Sequence, residues 1–173
     1  MTRISDDKRW HALYVRSRAE KKVFSRLEEM RIEAFLPLIS RMKQWSDRKK
    51  KTEEPLFKSY IFVKNSSKEY YDILNISGAM HFVSFENAVA EVPENQIAAI
   101  KRYVEEFDEK IAEIIDNDTL NPGQPVRIKG GPMNGLTGKF ISYQNKKMLL
   151  IHIDVVGQYI PVSVARIKVE PLI

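Results

Sequence analysis

The apolar residues of this 173-residue chain change their spacing once, and that change constrains the fold more than any other feature. Before residue 116, stretches of period two alternate with stretches stepping by three and four; after residue 123, only short period-two stretches remain. The turn-rich run between them, 116–123 (DNDTLNPG), reads as a linker. Two small domains are therefore expected, 1–115 and 123–173, joined through 116–122. The first mixes strands and helices through hairpin connections, which is the α+β class. The second packs five short strands into 125–129, 136–143, 148–156, 158–164 and 165–169, punctuated by glycines. That density of strands and turns is the pattern of a small β-barrel.

Within the first part, residues 10–17 (WHALYVRS) alternate, with Trp10, Ala12 and Tyr14 on one side and Leu13 and Val15 on the other. They read as a strand buried on both faces. Residues 19–31 carry the helical stripe Val23, Phe24, Leu27 and Met30. The extended runs 33–45, interrupted by Pro37, and 55–63 (PLFKSYIFV) read as a β-hairpin with a basic tip. A short helix over 68–76 and a strand over 80–85 follow. Pro93 sits at the first position of a helix whose seam is Ile97, Ile100, Val104, Phe107, Ile111 and Ile114. The seam runs as one helix or as two pieces meeting near Asp108.

Charge narrows the function classes. A net +5 conceals a local +8 over 1–51, −7 over 86–118 and +5 over 119–173. Such asymmetry suits a polyanion on one surface. The absence of cysteine excludes disulfides, thiolate zinc sites, iron–sulfur clusters and thiol catalysis. His11, His81 and His152 lie in separate strands without metal-ligand spacing, and no phosphate loop or serine elbow occurs. No catalysis, metal or cofactor is expected. No apolar run reaches the roughly 20 residues of a membrane span, and the polar start lacks a signal-peptide core. A cytoplasmic monomer, away from membranes, is expected.

Three constellations rise above this background. The first is Phe57-Lys58-Ser59-Tyr60-Ile61-Phe62-Val63. As one strand it would place Phe57, Ser59, Ile61 and Val63 on one face, with Tyr60 and Phe62 on the other. Two apolar faces mean a sandwiched sheet or a docking surface, which Phe85 and Ile97 would widen. The second is the cationic row Arg18, Lys22 and Arg26, stepping by four, with Arg16 just before it. It suits phosphate contacts or is a solvated helix face. The third is Arg48-Lys49-Lys50-Lys51, flanked by Arg41, Lys43 and Trp45, where an aromatic beside cations could stack on an exposed base.

The segment Pro122-Gly123-Gln124-Pro125-Val126-Arg127-Ile128-Lys129-Gly130-Gly131-Pro132-Met133-Asn134-Gly135-Leu136-Thr137-Gly138 resembles a KOW motif. The conjunction of Glu54-Pro55-Leu56-Phe57 with Tyr60-Ile61-Phe62-Val63, His81-Phe82-Val83 and Val92-Pro93 resembles an NGN domain. Over residues 10–171 the chain thus resembles the NusG/RfaH family of transcription elongation factors. Phe35-Leu36-Pro37-Leu38 and Gln44-Trp45-Ser46-Asp47-Arg48-Lys49-Lys50 are similar to the UpxY subgroup, antiterminators of capsular polysaccharide operons.

The resemblance implies an NGN domain that docks the clamp helices of the RNA polymerase β′ subunit through Phe57, Tyr60, Phe62, Phe85, Ile97 and Ile100. It also implies non-template or upstream DNA contacts by cations around the first helix, at Arg16, Lys22 and Arg26. With Arg18 and the hairpin's Arg48, Lys49 and Lys50 these make the expected DNA-binding set. Ser77 stands where the RfaH branch carries a DNA-contacting arginine. The expected KOW residues are Gly123, Val126, Arg127, Ile128, Gly131, Pro132, Gly135 and Gly138, in a barrel that recruits a small-subunit ribosomal protein or Rho. Glycines and Pro161 argue against a helical form of this segment. Specialised antitermination is the implied function; a general NusG-type factor and an RNA- or ribosome-binding KOW protein are the alternatives. The latter draws on Arg127, Lys129, Lys139, Lys146 and Lys147.

Overall fold

The computed structural model describes residues 3–105, 123–130, 134–143, 146–153, 155–163 and 168–172. The expected linker at 116–122 lies outside them, as do Phe107, Ile111 and Ile114 of the helical seam. The chain divides into two compact units, Met1–Ile39 with Glu53–Glu94, and Ser40–Thr52 with Asn95–Ile173. In chain order the first elements are β1 (Arg9–Val15), α1 (Glu20–Glu29), β2 (Ala34–Phe35), β3 (Leu38–Gln44), β4 (Lys49–Pro55) and β5 (Tyr60–Asn65). A single 3-10 turn at Ser67–Glu69 leads into α2 (Tyr70–Leu74). Then come β6 (Ala79–Phe82), β7 (Ser84–Phe85), β8 (Ala88–Val89) and α3 (Glu94–Glu105).

The main sheet of the first unit is antiparallel, in the order β2-β5-β1-β6. Its register sorts the side chains. Leu13 pairs with Ile61 and Phe82, and His11 with Val63, on one face. That face packs with Val15 against Val23 and Leu27 of α1 and Ile73 of α2 as the core. Each such buried aliphatic contributes roughly 1.5–3 kcal/mol. The chain leaves α2 through Gly78, whose φ is +103°. A Cβ there would lie 3.1 Å from both the Ala19 Cβ and a Val23 methyl, so glycine lets β6 approach α1.

The expected hairpin is split. Its base pairs β2 with β5, opposing Phe35 to Phe62. Its upper half is a separate two-stranded ribbon of β3 and β4. The break falls at Leu36-Pro37, where proline has no N–H for a ladder and its carbonyl instead accepts the Leu56 N–H at 2.8 Å. Lys49, Lys50 and Lys51 consequently lie in strand β4 rather than at a tip. The expected strand over 80–85 is also interrupted. It ends at Phe82, and β7 turns into β8 through Glu86 and Asn87, at φ 47° and 62°. Two successive positive φ values make the tight turn that matches strand twist.

The second unit holds β9 (Pro125–Lys129), β10 (Thr137–Tyr143), β11 (Lys146–Ile153), β12 (Gln158–Ser163) and β13 (Lys168–Pro171). They form one antiparallel sheet in the order β12-β11-β10-β9-β13. All five expected strands are present, and no helix occurs among the described residues of this segment. No pairing of β12 with β13 closes the sheet among the described residues, so the expected barrel is observed as an open five-stranded sheet.

Two polar sites of the first unit, a half-buried Glu69 and a buried His11, bear on its response to acid. Glu69 Oε2 accepts the Ser66 hydroxyl at 2.5 Å and the Ser66 N–H at 2.9 Å, and Oε1 lies 3.1 Å from Lys8 Nζ. Chiefly the Ser66 hydroxyl, then its N–H and Lys8, hold this carboxyl down at about 2. A folded pKa below the unfolded 4.5 gives stability that is complete above 4.5 and lost as pH falls toward 2. Glu69→Gln should flatten the fall in urea midpoint across that window; an unchanged acid limb would assign it to other carboxylates. His11, 3.1 Å from the Asn65 side-chain oxygen, is depressed by burial, against the pull of Asn65 and Glu91. Its contribution is complete above 6.5 and is lost as pH falls through its folded value.

Candidate functional site

The second face of the main sheet is aromatic. Register places Trp10, Ala12 and Tyr14 of β1 beside Phe62 and Tyr60 of β5, Phe35 of β2 and His81 of β6. The face is not uniform along the strands. At the Trp10, Ala12 and Phe62 end it is closed to solvent. At the other end Tyr14 and Tyr60 are half-buried and His81 is exposed. Tyr14 stands at the centre: the Tyr60 ring meets it edge-on at 5.3 Å and the His81 ring stacks on it at 5.0 Å. A register shift at Tyr14/Val15 adds an extra residue on β6, and Met80 is exposed next to His81.

The six residues expected to form one docking pocket separate by exposure. Phe57, Phe62, Ile97 and Ile100 are no more than 1% exposed, Tyr60 is half-buried, and Phe85, beside the β7–β8 turn, is 59% exposed. The expected face assignment of Phe57 is corrected. Residues 57–59 form a turn in which the Tyr60 N–H reaches the Phe57 carbonyl at 3.4 Å and Ser59 has φ 66°. Period two therefore does not extend back past Tyr60. Phe57 packs edge-on against Phe62 at 5.7 Å instead of sharing the face of Ile61. Glu20, buried at the start of α1, holds this turn by accepting the Ser59 N–H at 2.8 Å.

Tyr14, His81 and Glu20 are additions that the linear pattern did not single out. Alternation already put Tyr14 with Trp10 and Ala12, but only the strand order shows which residues flank it. A glutamate at a helix start reads as a favourable charge near the dipole; its bond to a turn 39 residues away has no local signal.

The cationic ridge is smaller than the row suggested. Arg16, Arg18, Lys22 and Arg26 are all exposed. Arg18 precedes the helix with φ 66°, so helical spacing joins only Lys22 to Arg26. Arg26 Nη1 lies 2.6 Å from Glu29. Lys22 and Arg26 line a groove of about 770 Å³ between α1 and the α2 region, together with Ser25, Glu29, Asn75 and Ser77. The ribbon carries the third constellation, with residues 41–51 all exposed.

In the second unit Val126 and Ile128 of β9 are buried, while Arg127 and Lys129 point outward. Both outward cations share Glu170 of β13, at 3.9 and 3.1 Å, so part of the expected basic skin is neutralised. Gly135 adopts φ 87° in the β9–β10 connection, its N–H donating to Ile128, and Gly138 pairs with Val126 in the sheet. Gly123 is exposed just ahead of β9; Gly131 and Pro132 lie outside the described residues, as do the side chains of Lys146 and Lys147. Among the described residues no helix is long and apolar enough to cross a membrane.

The fold has solved counterparts. A Thermotoga maritima NusG structure, titled for its domain interaction, aligns with TM-score 0.57 and 22% identity over 94% of this chain and 97% of that one. This likeness concerns the fold. The MjSpt4:Spt5 complex in conformations A and B aligns at TM-scores of 0.30 and 0.32, with 14% and 17% identity, over 94% of this chain and 98% and 97% of those chains. These two fits are too loose to carry further argument. The family model described as transcription termination factor nusG matches residues 8–101, which contain the whole main sheet, the ridge and the ribbon. With more than half of its length inside that match, the chain belongs to the NusG family.

Proposed function

We propose that this protein is a transcription elongation factor that docks on RNA polymerase through the open aromatic end of its main sheet and suppresses pausing and termination. The observation carrying this reading is the Tyr14–Tyr60–His81 cluster, aromatic and accessible on a sheet face otherwise closed, in a chain of the NusG family. The occupant suited to such a surface is an apolar helix pair, the polymerase β′ clamp helices. Two rings in contact with half-open flanks supply the anchors such a contact needs. Docking holds the clamp closed around the nucleic acids, which shifts polymerase away from paused states without any catalytic step.

The exposed cations Arg16, Arg18, Lys22 and Arg26 contact non-template DNA at the upstream fork in this reading. The 123–173 domain, as a KOW barrel following a linker at 116–122, recruits a second partner, a small-subunit ribosomal protein or Rho. The target is a small set of operons, capsular polysaccharide synthesis being the type that the ribbon sequence suggests.

Retention of RNA polymerase rather than ribosomal subunits by the tagged full chain tests the docking. Ribosomal subunits alone on the resin would support an RNA-binding KOW protein instead. Chromosomal occupancy at a few operons is expected; occupancy at nearly all genes would identify a general factor. Substituting Arg16, Lys22 and Arg26 by alanine should lower the slope of log affinity against log salt by about 2, at roughly 0.7–0.9 per phosphate contact. An unchanged slope would remove DNA from the ridge.

A further inference from the structure

The two tyrosines at the open end of the main sheet are both tied to Ser59. Ser59 directly precedes Tyr60, and its carbonyl accepts the N–H of Val15, the residue after Tyr14, at 2.9 Å. Its φ of 66° is left-handed backbone, which a residue with a β-carbon adopts at a cost. Such a conformation persists only where its surroundings impose it. Here the imposing group is Glu20, whose Oε1 accepts the Ser59 N–H at 2.8 Å. Glu20 is only 6% exposed, and glutamate is rarely buried without a partner. It opens α1, and the preceding Ala19 offers that helix no side-chain cap. A carboxylate at this place ordinarily serves its own helix end. Glu20 reaches instead across the chain to a turn 39 residues on.

We propose that Glu20 is a positioning residue for polymerase docking: by holding Ser59 in its left-handed conformation, it sets the separation and angle of the Tyr14 and Tyr60 rings. Those rings now meet at 5.3 Å with 67° between their planes. Without the bond, Ser59 relaxes toward negative φ, which redirects the chain entering β5 and swings Tyr60 off Tyr14. A buried carboxylate touches no partner, so its effect reaches the polymerase only through the rings. This role rests on the docking reading above; the effect on the rings does not.

The test uses the full chain and reads the rings without polymerase, from NMR cross-peaks between Tyr14 and Tyr60 and from hydrogen exchange of the Ser59 amide. Glu20→Ala should speed that exchange, weaken the cross-peaks and lower polymerase retention about tenfold, part of the loss of one anchor. Glu20→Gln, whose side-chain carbonyl still accepts the Ser59 N–H, should keep retention near the wild-type value. Ser59→Asn added to Glu20→Ala should restore most of the retention, because asparagine tolerates left-handed backbone without a brace. Glu20→Asp keeps the charge but falls one methylene short; it should also lose retention, and it decides the matter if Glu20→Ala does not fold. Val23→Ala, in the core beneath α1, controls for stability: it should lower the urea midpoint and leave retention normal. Unmoved rings or unchanged retention in Glu20→Ala, no rescue by Ser59→Asn, or an equal loss of retention in Val23→Ala would overturn the proposal. The polymerase-free readout keeps the two readings apart. A wild-type chain that polymerase does not retain refutes the docking, and with it Glu20's part in docking, whereas parted rings in Glu20→Ala would still establish the brace.

Discussion

Phe62→Ala should destabilise the protein by about 3–5 kcal/mol, the usual cost of truncating a fully buried phenylalanine. Phe62 is 0% exposed, stacks on Phe35 at 6.2 Å and receives the edge of Phe57 at 5.7 Å. Alanine would leave a cavity between two rings that are held independently, Phe35 by its pairing in β2 and Phe57 by the Glu20-braced turn. Neither can collapse into the space without breaking its own support. Against a typical domain stability of about 5–15 kcal/mol, the loss is large enough to populate unfolded chain at growth temperature. Urea denaturation should show a lower midpoint with an unchanged slope. A shift worth less than about 1 kcal/mol would mean that the closed end of the aromatic face is not a packed core. The result bears on function as well. An inactive Phe62→Ala variant would report a lost fold, so this residue cannot serve to map a contact surface.

Much of this arrangement was legible in the linear pattern. Val23 and Leu27 at helical spacing predicted which side of α1 is buried, and the alternation in Trp10, Ala12 and Tyr14 predicted a two-faced strand. The five C-terminal strands were placed to within about three residues by glycine punctuation, the expected 148–156 and 165–169 standing at Lys146–Ile153 and Lys168–Pro171. The errors arose where one local backbone angle resets the period. Ser59, at φ 66°, ends the alternation that would have put Phe57 with Ile61. Arg18, also at φ 66°, ends the helical row that would have joined it to Lys22. Neither residue is a glycine, so composition carried no warning. The site itself was half legible. Aromatic residues in β5 were visible as a cluster, but the sheet order that sets Tyr14 between Tyr60 and His81 depends on pairings with strands roughly 45 and 67 residues away. Exposure was not legible at all, because period two says which side a residue faces and not how far a neighbouring element covers that side.

The difference between the closed and open ends of one face leads to the second large effect. Tyr14→Ala combined with Tyr60→Ala should reduce polymerase retention by about 100-fold or more, while lowering stability far less than Phe62→Ala. Anchors of this kind cost about 2 kcal/mol or more each when truncated, and two such losses correspond to several powers of ten in affinity at about 1.4 kcal/mol per decade. The pair must be removed together. Tyr14 and Tyr60 lie 5.3 Å apart, so either ring alone can lean into part of the space left by the other, and single substitutions should add up to less than the double. Tyr14→Phe with Tyr60→Phe separates ring from hydroxyl: an apolar contact predicts near-normal retention, whereas a hydrogen-bonded one predicts a loss close to that of the alanine pair. His81→Ala removes the ring stacked on Tyr14 and should produce a smaller loss by letting Tyr14 move. Normal retention by the double alanine variant, with its urea midpoint shown to be high enough for folding, would place the polymerase contact elsewhere. The exposed Phe85 would then be the next aromatic to substitute.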